Sequence, residues 1–318
     1  MQMGAHPVYE KGVIMEKTIV VGATGLQGGV VARRLLADGR RVRAVTRDPA
    51  GAPARALAEA GAEVVRAEMG DLASLVAAAE GAYGLFSVQP TVGSPGTPPG
   101  FTAEDEVRWG VNVAEAAHTA GVRHLVYASV AGAGRHADEV LPRNVLSKAR
   151  IERRVAELGL PATILRPVSF MENYAGGYHL RDGAVATAFA PDVPQQIMAV
   201  DDVGVFAALA FARPAEWIGR AVDLAGDELT PRRIAEMIGE AIGRPVPYVR
   251  VPIEAIRQYG EDFAFAYEWL NERGWRADIA AARRLHPGLT DLRAWLARGG
   301  AAEIEAFFAA ERATRQRA

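Results

Sequence analysis

The chain has no cysteine. Disulfides, thiolate nucleophiles, cysteine-ligated zinc and iron–sulfur clusters are therefore excluded, and any chemistry rests on other groups. Long apolar runs are also missing: no stretch approaches the ~20 consecutive apolar residues that span a bilayer, and no charged segment followed by an apolar signal core opens the sequence. The expectation is a cytoplasmic protein with no membrane association. Gly4 is not at the position that myristoylation requires, so a lipid anchor has no support either. Excess charge is nearly absent, with a formal net charge of −2, which gives no general attraction for nucleic acid. No spacing of His, Asp and Glu suggests a metal site.

What is present is a large apolar share, 50% of 318 residues against 23% charged, enough to bury a core in one or two domains. Residues 1–14 carry no clear periodicity and read as an N-terminal extension. Lys17 to Val21 is a β-branched run suited to a buried parallel strand, and it enters Gly22-Ala23-Thr24-Gly25-Leu26-Gln27-Gly28 without a break. Gly22 lets the chain leave the strand sharply, Gly25 lets backbone N–H groups approach a phosphate, and Gly28 lets the next helix pack on the strand. A helix from about Gln27 to Ala37 then points its positive end at the anion. The strand Arg41 to Thr46 completes the context that a glycine pattern needs before it signals a dinucleotide.

The end of that second strand chooses between cofactors. NAD sites place Asp or Glu there for the ribose 2′-hydroxyl, and NADP sites place a cation for the 2′-phosphate. Arg47 stands at this position with a fork of donors suited to phosphate oxygens, which favours NADP(H). Asp48 beside it pulls the other way, although Asp48-Pro49 also reads as a turn before a helix.

Alternating helix and strand signals continue: Ala52–Ala60, Ala62–Ala67, Leu72–Ala79, Ala82–Val88, Ala103–Ala120 and His124–Ala128. This rhythm implies an α/β fold, a Rossmann-type doubly wound parallel sheet with right-handed crossovers. Ligands in such sheets lie beyond the carboxyl ends of the strands. Asp71 with Leu72 would then approach the adenine side, Ser87, Val88 and Gln89 the central or nicotinamide part, and Ala128-Ser129 a further cofactor loop. For each of these a turn or helix-cap role is the competing explanation. A charged helix, Ser147–Leu158, and a strand, Ala162–Leu165, follow. Residues 15–166 are thus read as the cofactor core. Residues 167–318 are read as mainly a smaller α+β domain, some of whose segments return to that core.

GATGLQGG, VRAVTRDP, GVRHLVYASVAG, the lysine of SKARIERR, ILRPVSFMEN and the C-terminal AGDELTPRRIAEMIGEAIGRPVPYVRVP together resemble the NmrA-like branch of the atypical short-chain dehydrogenase/reductases, over nearly the whole chain. The resemblance implies NADP(H), and either a reductase, similar to isoflavone-reductase-like and quinone-reductase-like enzymes, or a cofactor-sensing regulator. It places Pro167, Val168 and Phe170 against the nicotinamide and Asn173 near the substrate. Ordinary short-chain dehydrogenases carry Tyr-x-x-x-Lys on one helix face. Lys148 matches the lysine, but Asn144 stands where the tyrosine belongs. Ser129 falls near the usual serine and cannot replace a phenol. Lys148 is then either the acid/base or a hydrogen-bond partner of the nicotinamide ribose. Tyr174 is the nearest phenol and His179 the nearest imidazole, both substrate-side candidates that could replace the lost proton donor or be structural. The expected partners are a small apolar substrate and a second copy in a homodimer, with a protein partner only for a regulator. Sugar epimerisation is a weaker alternative, because it too relies on the missing tyrosine.

Overall fold

Apolar runs become strands and amphipathic runs become helices throughout the first half of the chain. The computed structural model describes residues 16–92 and 97–317, so the reading of residues 1–14 lies outside the described residues. The elements are β1 (Lys17–Val21), α1 (Leu26–Ala37), β2 (Arg41–Thr46), α2 (Ala52–Glu59), β3 (Glu63–Arg66), α3 (Leu72–Ala79), β4 (Gly84–Ser87), α4 (Ala103–Thr119) and β5 (His124–Ala128). Next come α5 (Arg143–Glu157), β6 (Ala162–Pro167), β7 (Ser169–Phe170), β8 (Leu180–Arg181), β9 (Ala184–Thr187), β10 (Gln195–Met198) and α6 (Val200–Ala212). After them stand α7 (Pro214–Trp217), β11 (Ala221–Leu224), β12 (Asp227–Leu229), α8 (Pro231–Ile242) and β13 (Tyr248–Arg250), and the remaining chain to residue 317 is helical with short breaks.

A seven-stranded sheet has the order β11-β6-β5-β4-β1-β2-β3. The pairings β1–β2, β2–β3, β1–β4, β4–β5 and β5–β6 are all parallel. The strand order reverses between β1 and β4, and a doubly wound sheet binds its ligand at such a reversal. Ile19, Val21, Leu75, Leu85, Val113 and Leu125 fill one side of this sheet. The fold is therefore the expected Rossmann type.

Two compact units are present. One comprises the described residues up to Ala128, with Arg150–Leu165 and Val203–Ala221; the other comprises Ser129–Ala149, Arg166–Asp202 and Val222 onward. Against an expected boundary near residue 166, the units interleave along the chain. The second unit carries two three-stranded sheets, β12-β10-β7 and β13-β9-β8, over a core that includes Met171, Tyr174, Ile197, Ile234, Trp295 and Phe308. It is the smaller α+β part that the C-terminal sequence suggested.

Helix α5 begins four residues before the expected Ser147. The carbonyl of Pro142 accepts from both Val145 and Leu146 N–H at 2.9 Å, and Val145 is buried, so packing nucleates a turn that the charged run does not advertise. Helix α8 forms as its sequence dictates: Thr230 caps it through Arg233 N–H, Pro231 opens it, and Gly243 ends it at φ 72°.

Candidate functional site

In the first unit, β1 delivers the chain to the glycine turn beside the end of β4. Gly22 has φ 78°, and a Cβ there would lie 3.0 Å from the Val88 carbonyl oxygen. A Cβ on Gly28 would lie 2.1 Å from the Gly22 carbonyl oxygen, so the first and third glycines cannot be exchanged for any side chain without moving the turn. Gly25 N–H donates to Gly22 O at 3.0 Å, which closes the turn. Helix α1 then starts with Gly25 as its N-cap and no side-chain cap bond. Its first-turn N–H groups, those of Leu26, Gln27 and Gly28, are donors awaiting an acceptor, at the positive end of the helix. Leu26 is exposed beside them.

Thr24 links this turn to β2, its Oγ1 lying 3.4 Å from Thr46 Oγ1. Arg47, the next residue, is exposed and forms no ion pair among the described residues. Asp48, which pulled towards NAD, is occupied with the turn itself: its Oδ1 accepts from Ala50 N–H at 3.1 Å. Asp71, expected near the adenine, is the N-cap of α3, with Oδ1 accepting from Ser74 N–H at 3.2 Å. The structure thus gives this carboxylate oxygen the helix-cap role that competed with the cofactor role. Leu72 opens α3 and is 36% exposed.

Ser87 and Gln89 are buried, and Gln89 Nε2 donates to Ser87 Oγ at 2.8 Å. Gln89 Oε1 and Gln27 Oε1 are buried acceptors with no partner. Such orphans are costly unless a donor reaches them. A dinucleotide fits this edge: the uncapped N–H donors, the exposed Arg47 guanidinium and the glycine cradle suit its phosphates, and the buried acceptors suit donors such as its ribose hydroxyls. Val88 contributes its carbonyl against Gly22, and Ala128 is buried at the end of β5.

In the second unit, Ser129 is 3% exposed and Ala131 N–H donates to Pro167 O at 3.0 Å, so the loops after β5 and β6 run together. Val168 N–H donates to Leu224 O at 3.0 Å, and Phe170 pairs with Met198 of β10. Trp275 Nε1 donates to Ser169 Oγ at 3.3 Å, a tie across 106 residues that no local pattern signals. Lys148 is 7% exposed, whereas Asn144, one turn earlier on α5, is exposed. The asparagine therefore does not stand in for a buried phenol.

Tyr174 and His179, for which the sequence leaves proton-donor and structural roles both open, are buried. Tyr174 is 1% exposed within the apolar core, and burial pushes its phenol well above the ordinary value of 10.0. His179 packs edge-on against Tyr174 and Phe189, with ring centroids 4.9 and 5.9 Å away. Desolvation lowers its pKa from 6.5 to about 4. Both side chains pack in the interior of this unit, and His179 Nδ1 has no hydrogen-bond partner among the described residues. Asn173 is half-buried and its carbonyl accepts His179 N–H at 3.1 Å. Next to it, Glu172 caps α6 by accepting from Val200 N–H at 3.1 Å and from Trp295 Nε1 at 3.0 Å; burial raises its pKa to about 6.

His124 is buried against Thr163 Oγ1 at 2.8 Å, in keeping with strand packing. His286 lies 3.2 Å from Asp202 Oδ1, and the same carboxylate accepts from Thr290 N–H. Among the described residues no cluster of His, Asp and Glu could hold a metal, and no helix is long and apolar enough to cross a membrane.

The family model of the NmrA-like family matches residues 15–296. A (4-alkanoyl-5-oxo-2,5-dihydrofuran-3-yl)methyl phosphate reductase of Streptomyces griseus is 33% identical over 244 residues, covering 75% of this chain and 78% of that protein. Among solved structures, NmrA, a negative transcriptional regulator in complex with NADP, has a TM-score of 0.74 at 22% identity, covering 92% of this chain and 98% of the other. The Citrobacter triphenylmethane reductase complexed with NADP(H) has a TM-score of 0.73 at 21% identity, covering 89% and 99%.

Proposed function

Because the chain belongs to the NmrA-like family, we propose that it is an NADPH-dependent oxidoreductase that reduces a small apolar substrate at a conjugated double bond, carbonyl or imine. The observation that carries the cofactor is the glycine turn leading into an α1 whose N-terminus has no side-chain cap, with Arg47 exposed at the end of β2 and without an ion pair among the described residues. The first-turn N–H groups bind the pyrophosphate, and the Arg47 fork meets the 2′-phosphate. Relatives named as reductases, including that of Streptomyces griseus, support the oxidoreductase class.

When bound, the dihydronicotinamide supplies a hydride. Lys148 Nζ supplies the proton to the oxygen, nitrogen or carbon at the other end of the reduced bond or conjugated system, which receives the displaced electron pair, and water restores the proton on Lys148. Burial of Lys148 suits the role, because a side chain enclosed by protein is held in one place. Anaerobic NADPH oxidation across quinone, enone and imine acceptors tests the reading, with Lys148→Ala as the decisive variant. The expected result is turnover lost by about 100-fold or more with NADPH binding retained. Weakened binding with the same turnover of bound enzyme would assign Lys148 to the ribose instead.

The exposed Asn144 favours a second reading, an NADP(H)-sensing protein without turnover. That reading requires NADPH and NADP+ to have different affinities or to drive different conformations. Tight NADPH binding with no turnover on any acceptor would select it.

A further inference from the structure

A hollow of about 130 Å³ lies in the first unit between α1 and α2. Thr24, Gly25, Gly29 and Arg33 line one side of it, and Pro53 and Ala56 line the other; no lining residue is acidic. Arg33 sits in the second turn of α1 with its side chain folded back towards the helix N-terminus. Its Nη1 would be 3.2 Å from a Cβ on Gly29, so the guanidinium lies directly over that glycine. A helical side chain leans towards the N-terminus in this way, and the missing Cβ lets it approach.

The neighbouring arginine provides a contrast. Arg34 Nε is held by the Asp38 carboxylate at 3.0 Å, whereas Arg33 is exposed and has no ion pair among the described residues. The hollow also opens next to the end of β2. Thr24, which lines it, lies 3.4 Å from Thr46, and Arg47 follows immediately. The carboxylate that follows Arg47, that of Asp48, accepts from Ala50 N–H through Oδ1. An uncommitted cation thus faces a cavity beside the position where a 2′-phosphate is read, on the helix whose N-terminus already favours anions.

We propose that Arg33 is a second specificity-determining cation for the adenosine 2′-phosphate, approaching from the α1 side while Arg47 approaches from β2. The inference rests on the NADP(H) reading above. A dianionic phosphate held by two guanidinium groups gains more over a neutral 2′-hydroxyl than one held by a single group.

The test is titration of NADPH and of NADH into wild type, Arg33→Gln and Arg33→Lys, at low and at physiological salt. Arg33 is exposed, so the substitutions leave the fold intact, and an unchanged Tm checks this. The expected result is that Arg33→Gln weakens NADPH by about tenfold or more, leaves NADH within about twofold, and flattens the salt dependence of NADPH binding. Arg33→Lys should fall in between. A preference for NADPH that is unchanged in Arg33→Gln, or equal loss for both cofactors, overturns the inference. Wild type with no preference for NADPH would instead overturn the NADP(H) reading itself, so the two failures are distinguishable.

Discussion

Along Gly22–Gly28 the groups that matter are backbone donors at a helix end and a buried Gln27 Oε1 with no hydrogen-bond partner among the described residues, whereas along Ser169–His179 the polar side chains are packed into their own unit. Ser169 holds Trp275, Glu172 caps α6 and holds Trp295, and Tyr174 and His179 stack inside an apolar core. Both stretches follow a strand of the central sheet and both are candidates for a site by position. The first is left unsatisfied by folding and so has binding capacity to spare. The second has spent most of its capacity on stability, with His179 Nδ1 left without a partner among the described residues. A functional site is marked by what remains unpaired after folding, and proximity in sequence to a known motif is a weaker guide.

The largest effect that would break this comparison is at Tyr174. As a core group it should cost about 3–5 kcal/mol when changed to alanine, read as a fall in Tm, and Tyr174→Phe should keep turnover within about twofold. A large loss of turnover in a stable Tyr174→Phe would return the phenol to the chemistry.

His179 and His124 offer a pH test of the same burial. Both are held neutral, with pKa lowered from 6.5 to about 4 by desolvation. As pH falls from 6.5 towards 4, the unfolded chain takes up protons that the folded chain refuses, so stability falls, by up to about 3 kcal/mol for each group. Glu172, raised from 4.5 to about 6, acts in the opposite sense between those values, because its folded form takes the proton first. His179→Phe should therefore narrow the gap in denaturant midpoint between pH 7 and pH 5. An unchanged gap would mean that His179 is not the buried neutral group described.

At the turn, a Gly28→Ala methyl meets the Gly22 carbonyl oxygen at 2.1 Å, and neither atom belongs to a side chain that can swing away. A stability loss of about 1–3 kcal/mol is expected, with NADPH binding lost by calorimetry. Retained binding would show that the cradle is not where the pyrophosphate lies. The smallest effect is at Arg47: Arg47→Gln should weaken NADPH by about tenfold and leave NADH nearly unchanged, with no change in Tm.

The glycine turn and the strands around it were legible because they are local. Gly22, Gly25 and Gly28 lie within one turn, and Arg47 ends the next strand, so spacing alone carries the geometry. Asp71 was ambiguous because capping α3 and touching adenine need the same short carboxylate at the same place; its Oδ1 caps α3 through Ser74 N–H. Arg33 escaped the sequence reading. Its one signal is a glycine four residues earlier on the same helix face, and arginines on helices are usually solvated. The second unit was hardest, because Tyr174 owes its burial to partners such as Ile234, Trp295 and Phe308, far along the chain. No window around SFMENY contains them.

The central claim is that the glycine turn, with Arg47, holds NADP(H) in preference to NAD(H). The most direct measurement is the ratio of the NADH and NADPH dissociation constants for the unmodified protein at physiological salt. The account requires NADPH to bind more tightly by at least about tenfold. Equal affinities, or tighter binding of NADH, would contradict it.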